Sequence, residues 1–378
     1  MSAPATRSRH RPAPGELTGV DVAAPEPLLR VANLTTTLAT LRGDLTVVSD
    51  ASLTLSRGTT LGIVGETGSG KTMLIRSIMG LLSSRRATRT GQVSLEGTDL
   101  LALSDKALAT SVWGTRLGMV FQDPMTSLAP AVRIGRQLTD GLRVHLGLSR
   151  RQANERACEL LAQVGMPDPR VRARQFPHEL SGGLRQRVTI ALALSCDPVV
   201  LLADEPTTAL DVTISAQILD LLGRLQAERS MGVVLVSHDL GVIASRTDEL
   251  CVMYAGRIVE MATTADIFAN PRHPYTAALM GSIPRKSHTP HAPLAAIPGS
   301  PPDLRALPSG CAFAPRCAHV QPRCRAERPA LEADVTGHQV ACFFPLGGLE
   351  SREPAGSPPR TDHVQAMTPT SRRSGEVE

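Results

Sequence analysis

Gly65-Glu66-Thr67-Gly68-Ser69-Gly70-Lys71-Thr72 is the stretch on which the fold turns. It follows a short apolar run, Leu61-Gly62-Ile63-Val64, and precedes a helical pattern from Met73 to Met79, so its glycines occupy a strand-to-helix turn. Residues 65, 68 and 70 lack a Cβ and can take positive φ, which lets successive N–H groups and the start of the following helix point at an anion. In a loop of this form Lys71 reaches the β- and γ-phosphates of a nucleotide and the Thr72 hydroxyl ligates Mg2+, so a polyphosphate and Mg2+ are expected here. An ordinary Gly-rich turn is the competing reading, and the flanking strand and helix tell against it.

Upstream, short alternating runs (Leu29/Val31, Leu45/Val47, Leu53/Leu55) broken by Arg42-Gly43-Asp44 predict antiparallel strands and a hairpin. Downstream, Gln92 to Gly97 alternates like a strand, and Leu117 to Phe121 is a short apolar run ending in Gln122-Asp123-Pro124. Residues 125–180 are mostly helical in pattern and read as a helical insertion. Leu180 to Gly183 is a turn that opens a helix expected over Arg185 to Ser195, with Ser181 suited to cap it. Val199 to Ala203 and Val233 to Val236 are continuous apolar runs, as in strands buried on both faces of a parallel sheet. Strands alternating with helices give an α/β core. A hairpin is expected from Leu250 to Met261, turning at Ala255-Gly256, with helices near Thr264–Ala269 and Tyr275–Ser282.

A phosphate loop needs a metal partner and a group that activates water. Asp204, at the end of a buried strand, is suited to hold Mg2+ through water, and Glu205 beside it can orient or deprotonate the attacking water. A surface acidic pair would be the reading for these two alone; the upstream loop reverses it.

Leu180-Ser181-Gly182-Gly183-Leu184-Arg185-Gln186-Arg187 resembles the LSGGQ-type signature of ATP-binding-cassette ATPases, and Ala203 to Asp211 follows at that family's usual distance. With the phosphate loop, Gln122 and His238 in Val236-Ser237-His238-Asp239, five motifs fall in the family order. The resemblance implies a P-loop NTPase fold of the ABC type, with an antiparallel β subdomain and a helical subdomain. It further implies that residues 65–72 and Gln122 bind ATP, that Gln122 joins Thr72 and Asp204 around Mg2+, and that Glu205 and His238 are catalytic. Ser181, Gly182, Gly183 and Gln186 would act on the ATP of a second ABC subunit, a like copy or a paralogue, with Asp211 at the dimer seam.

Phe121 to Leu128, Met253 to Glu260, Pro271-Arg272-His273-Pro274-Tyr275-Thr276 and Gly310-Cys311-Ala312-Phe313 look like the ATP-binding subunits of oligopeptide/dipeptide and nickel importers. That likeness implies two membrane permease subunits as partners, an extracytoplasmic solute-binding protein acting indirectly, and a peripheral place on the cytoplasmic face of the plasma (inner) membrane. One position departs from the pattern: Leu38 stands where the family usually has an aromatic that stacks on adenine, and no Phe, Tyr or Trp precedes Trp113. Cys311, Cys317, Cys324 and Cys342 form a small Cys-rich C-terminal extension, whose low apolar content suggests a lobe held by a metal centre. Spacing without C-x2-C argues against a zinc ribbon. Resemblance to importers that carry a [4Fe-4S] cluster makes a cluster the first choice and zinc the second.

The 378 residues are divided as a disordered tail (1–27), an ATPase domain (28–283, helical subdomain about 123–185), a Pro-rich linker with the four-cysteine extension (284–346), and a second disordered tail (347–378). Net charge is +5, but much of the excess sits in the tails, and no aromatic-interleaved basic stripe of the kind that stacks nucleic-acid bases occurs. No nucleic-acid partner is expected; a soluble cassette acting on DNA or ribosomes is the competing reading, disfavoured because such proteins often carry two cassettes or a long coiled-coil insertion and the sequence shows neither. No window approaches the roughly 18 consecutive apolar residues of a membrane span, and Cys158, Cys196 and Cys251 read as packing residues.

Overall fold

The computed structural model describes residues 26–282 and 297–347. The two tail assignments lie almost wholly outside these residues, and so does the first half of the Pro-rich linker.

Strands β1 (Leu29–Thr40) and β2 (Gly43–Leu55) form a long antiparallel hairpin in which Leu38 faces Leu45 and Leu29 faces Leu55. Gly43, at φ 98°, makes the turn that the Arg42-Gly43-Asp44 break predicts. β3 (Thr60–Val64) is almost fully buried and leads into helix α1 (Lys71–Met79), which Gly80 ends in a left-handed cap at φ 78°. β4 (Ala87–Leu95) then pairs with β1, and the two-residue β5 (Thr98–Asp99) closes a four-stranded sheet of order β2-β1-β4-β5.

After α2 (Asp105–Ser111) and β6 (Leu117–Val120) the chain leaves the sheets for a helical arm. The arm comprises α3 (Pro124–Ser127), α4 (Ile134–Leu146), α5 (Arg150–Gln163), α6 (Pro169–Arg172) and α7 (Gly182–Ala193). α5 starts with a capping box between Ser149 and Gln152, and α7 starts at the Ser181 cap, three residues before the helix expected from sequence. β7 (Val200–Asp204), α8 (Val212–Arg229), β8 (Gly232–Val236), α9 (Leu240–Ala244) and β9 (Glu249–Tyr254) complete the α/β core. Strands β6, β7, β8, β3 and β9 run parallel, and every residue of β7 and β8 is buried, as their unbroken apolar runs require.

β10 (Arg257–Thr263) returns antiparallel to β9 through Ala255 and Gly256, both at positive φ (51° and 78°), the tight reversal expected there. α10 (Thr264–Ala269) and α11 (Pro274–Gly281) follow. The extension adds α12 (Pro322–Ala326) and two short strands, β11 (Glu332–Ala333) and β12 (Gln339–Val340). β12 pairs with β10, so the large sheet reads β11-β12-β10-β9-β3-β8-β7-β6 and the extension is its continuation. Phe313 is 3% exposed and belongs to the same apolar core as Tyr254 and Tyr275. The expectation of a lobe with little apolar filling needs correcting, because Phe313 joins the main core and Ile297, Leu304 and Leu307 pack against it.

The two sheets meet at the phosphate loop through backbone. A Cβ on Gly70 would lie 2.9 Å from the Val47 carbonyl and 3.1 Å from the Cα of Gly256, and one on Gly256 would lie 2.8 Å from the same carbonyl. Gly256 N–H donates to the Ser69 carbonyl and Ser49 N–H donates to the Gly256 carbonyl, both at 2.8 Å. No described helix is long and apolar enough to cross a membrane.

Candidate nucleotide site

The loop between β3 and α1 takes the shape its glycines allow, with φ of 154°, 84° and 101° at Gly65, Gly68 and Gly70. Gly65 leaves no alternative, since a Cβ there would sit 2.3 Å from the Met253 carbonyl. Lys71 Nζ donates to the carbonyls of Gly65 (2.8 Å) and Glu66 (3.1 Å), which curls the loop around the ammonium. Burial lowers the Lys71 pKa, opposed by the charges of Glu205, Asp204 and Glu66.

At the end of β7, Asp204 is fully buried and accepts from Thr72 Oγ1 at 3.0 Å, while its second oxygen, Oδ2, has no hydrogen-bond partner. Burial raises its pKa, with the Thr72 bond and the cations Arg76 and Lys71 pulling the other way. A buried carboxylate oxygen with nothing to accept beside a threonine hydroxyl is a donor set suited to a hydrated Mg2+, so these residues fit that ion.

Glu205 follows at φ 45°, a left-handed conformation that turns its carboxylate off the strand axis. Its Oε2 accepts from Gln122 Nε2 (2.9 Å) and Thr208 Oγ1 (2.9 Å) and lies 3.1 Å from His238 Nδ1. Burial pushes this carboxyl up, but the Thr208 bond, His238 and Lys71 together outweigh it and hold the pKa below the ordinary glutamate value. Glu205 is thus an ionised carboxylate held by three side chains from three different segments.

Thr67, Gly68, Gly70, Lys71, Thr72, Gln122, Glu205 and His238, singled out from sequence, line one cavity of about 470 Å3 together with Val47, Met73 and Leu304. Leu38, at the position of the usual aromatic, is half-buried against the antiparallel sheet and does not line this cavity. Ser181, Gly182, Gly183 and Asp211 lie elsewhere. Gly183 packs so closely on α8 that a Cβ would meet Ile214 at 2.7 Å, and Asp211 caps α8 by accepting from Ile214 N–H, so the two segments share one edge. Gln186 is 1% exposed, on the buried face of α7, and does not line this cavity.

Sequence reasoning missed Thr208, Leu304 and Arg316. Thr208 lies within the Glu205 segment itself; the other two come from the C-terminal region, whose prolines, Gly310-to-Phe313 match and cysteines carry no signal for either residue. Burial raises the thiols of Cys311 and Cys317 and pushes Cys342 up to about 11. Among the described residues no group of three or more His, Cys, Asp or Glu is disposed to hold a metal ion, so as placed these thiols do not fit zinc or any single ion.

The model of the ABC transporter family matches residues 48–208, and that of the oligopeptide/dipeptide transporter C-terminal region matches residues 259–324. The oligopeptide transport ATP-binding protein OppD of Salmonella typhimurium is 46% identical over 329 residues, covering 86% of this chain and 97% of its own length. The dipeptide transport ATP-binding protein DppD of Bacillus subtilis is 44% identical over 320 residues, covering 84% of this chain and 95% of its own. Among solved structures, a dimeric ATP-binding cassette in a post-hydrolysis state with ADP and Pi superposes with a TM-score of 0.56 at 28% identity, over 62% of this chain and 98% of that one.

Proposed function

Because the chain belongs to the ABC transporter ATP-binding subunits with an oligopeptide/dipeptide C-terminal region, we propose that it hydrolyses ATP to drive uptake of di- or oligopeptides through partner permeases. The observation that carries the reading is Glu205, an ionised carboxylate fixed by Gln122, Thr208 and His238 beside Lys71 and Thr72 in a single cavity. Lys71 and the loop amides bind the phosphates. Thr72 and Asp204 would hold Mg2+, which would screen the charge of the phosphate oxygens. Glu205 takes the proton of the attacking water or orients it, and His238 fixes Glu205 and the γ-phosphate side of the cavity. Gln122 links the carboxylate to the helical arm.

The cavity receives no donor from Ser181 to Gly183 of its own chain, which supports a head-to-tail dimer in which a second subunit supplies that anion-binding helix start. The second subunit is a like copy or a paralogue. Two membrane permeases are the further partners, with a solute-binding protein acting through them, and the chain sits peripherally on the cytoplasmic face. An apolar cleft lined by Met79, Leu81, Trp113, Met119 and Phe121 opens next to Gln122 and suits a permease helix. Nickel or another small solute is the alternative cargo. For Cys311, Cys317, Cys324 and Cys342, a [4Fe-4S] cluster is retained on ligand type alone, and no step of hydrolysis runs through it.

Glu205→Gln tests the mechanism. Turnover should fall by at least 100-fold while ATP binding persists; hydrolysis within a few-fold of wild type removes Glu205 from the chemistry. Peptide-stimulated hydrolysis by the membrane complex tests the cargo, and iron and sulfide analysis of anaerobically prepared full chain tests the cluster.

A further inference from the structure

Glu66, the second residue of the phosphate loop, does not face the nucleotide cavity. Its carboxylate is held by Arg316 of the extension, 250 positions away, through two parallel bonds: Nη1 to Oε2 at 2.7 Å and Nη2 to Oε1 at 3.0 Å. The Arg316 side chain is 6% exposed and Glu66 23%. Arg316 is itself fixed, since its Nε donates to the Pro298 carbonyl at 2.8 Å and its guanidinium lies over the Tyr254 ring, 5.9 Å from the centroid. The backbone N–H of Glu66 donates to Tyr275 Oη at 2.8 Å, so the same loop residue is tied by both main chain and side chain. Independently, Leu304 of the extension lines the nucleotide cavity beside Val47 and Thr67.

We propose that the C-terminal extension completes the phosphate site in cis, with Arg316 as a positioning residue that neutralises and anchors Glu66 so that the loop binds a polyphosphate. The inference rests on the ATP-binding reading above. A carboxylate at this position opposes an incoming polyanion, and a bidentate guanidinium cancels its charge and fixes its direction. Removing only Arg316 leaves a half-buried, uncompensated negative charge in the loop that must accept phosphates. Loop and extension then share one equilibrium, and by linkage ATP binding tightens the docking of the extension as much as docking tightens ATP.

The test is ATP affinity of the full chain, by calorimetry, in wild type, Arg316→Ala, Glu66→Gln and the double variant. Arg316→Ala should weaken ATP binding by roughly 10- to 100-fold, the span of a typical coupling. The double variant should recover to within about threefold of Glu66→Gln, because the charge that Arg316 cancels is gone. A role limited to holding the extension's structure gives no recovery. A double variant as weak as Arg316→Ala, or an Arg316→Ala chain that binds ATP like wild type, overturns the proposal. If Arg316→Ala does not yield folded chain, Arg316→Gln carries the same comparison. Failure of the wild-type chain to bind ATP would instead sink the ATPase reading.

Discussion

The face of the molecule that lines the nucleotide cavity and the edge where the extension joins the sheet are held together by different physics. The first rests on five parallel strands with largely apolar interiors, and its acidic groups Asp204 and Glu205 stand at the end of one of them. The second rests on a few specific anchors. Phe313 is wedged against Tyr254 and Tyr275, with ring centroids 5.3 and 5.4 Å away, and the fully buried Glu260 accepts from the backbone of Arg272 (2.7 Å) and His273 (3.0 Å) while pairing with His338 Nε2 at 2.7 Å. A distributed apolar interior loses a fraction of its stability with any one side chain, whereas an edge held by anchors loses its docking with one.

The largest expected effect that sharpens this contrast is at the plug. Phe313→Ala should destabilise the chain by about 3–5 kcal/mol in denaturant titrations, at the high end for a core truncation. A loss under about 1 kcal/mol would break the comparison by showing that the edge has redundant support.

Next is an acid response. His273 is buried and its Nδ1 accepts from Tyr275 N–H at 3.0 Å; burial lowers its pKa to about 4, opposed by a hydrogen bond with the Ala341 backbone. The folded value lies below the unfolded one, so neutral His273 contributes fully above about 6.5, and that contribution is lost as pH falls from there towards 4. The expected loss is on the order of 3 kcal/mol across that window. Stability measured against pH should show it in wild type and not in His273→Asn, which keeps a capping oxygen; identical slopes would refute it.

A smaller effect is expected on the nucleotide face outside the cavity. Ser181→Ala removes a long capping contact, 3.4 Å to Leu184 N–H, and should cost about 1 kcal/mol or less of stability. Its effect on hydrolysis should be larger in the assembled dimer than that figure implies, which comparing turnover with thermal stability would reveal. The smallest effect is at the exposed Arg151–Glu155 pair, 3.1 Å apart on α5, where double-mutant coupling should not exceed about 0.5 kcal/mol.

The same contrast explains what could be read from sequence. The phosphate loop, Asp204-Glu205 and the strands before them are local patterns of apolar runs, glycines and carboxylates, and the structure places most of the residues they named around one cavity. The β9–β10 hairpin was legible because Ala255-Gly256 sits between two apolar runs. What failed to show was long-range. Nothing near Arg316 signals Glu66, and nothing near Leu304 signals Val47, since such pairs exist only once β12 has joined the sheet edge. Gln186 shows another limit: nothing in its local sequence signals the neighbours that leave it 1% exposed on α7's buried face.

The joint at Val47, Gly70 and Gly256 carries a mechanical consequence. Main chain makes the closest contacts there, since a Cβ on Gly70 or Gly256 would lie 2.9 or 2.8 Å from the Val47 carbonyl, with the Met253 side chain beside Gly70. The antiparallel and parallel sheets are thereby coupled through main-chain contacts and hydrogen bonds, in addition to the apolar cluster they share, which includes Leu29, Leu55, Ile63 and Val234. The helical arm leaves the sheets after Val120 and rejoins them at Val200, so bending of the arm would reach the sheets through these two tethers. Gln122, two residues beyond the first tether and bonded to Glu205, sits where that bending would be felt first.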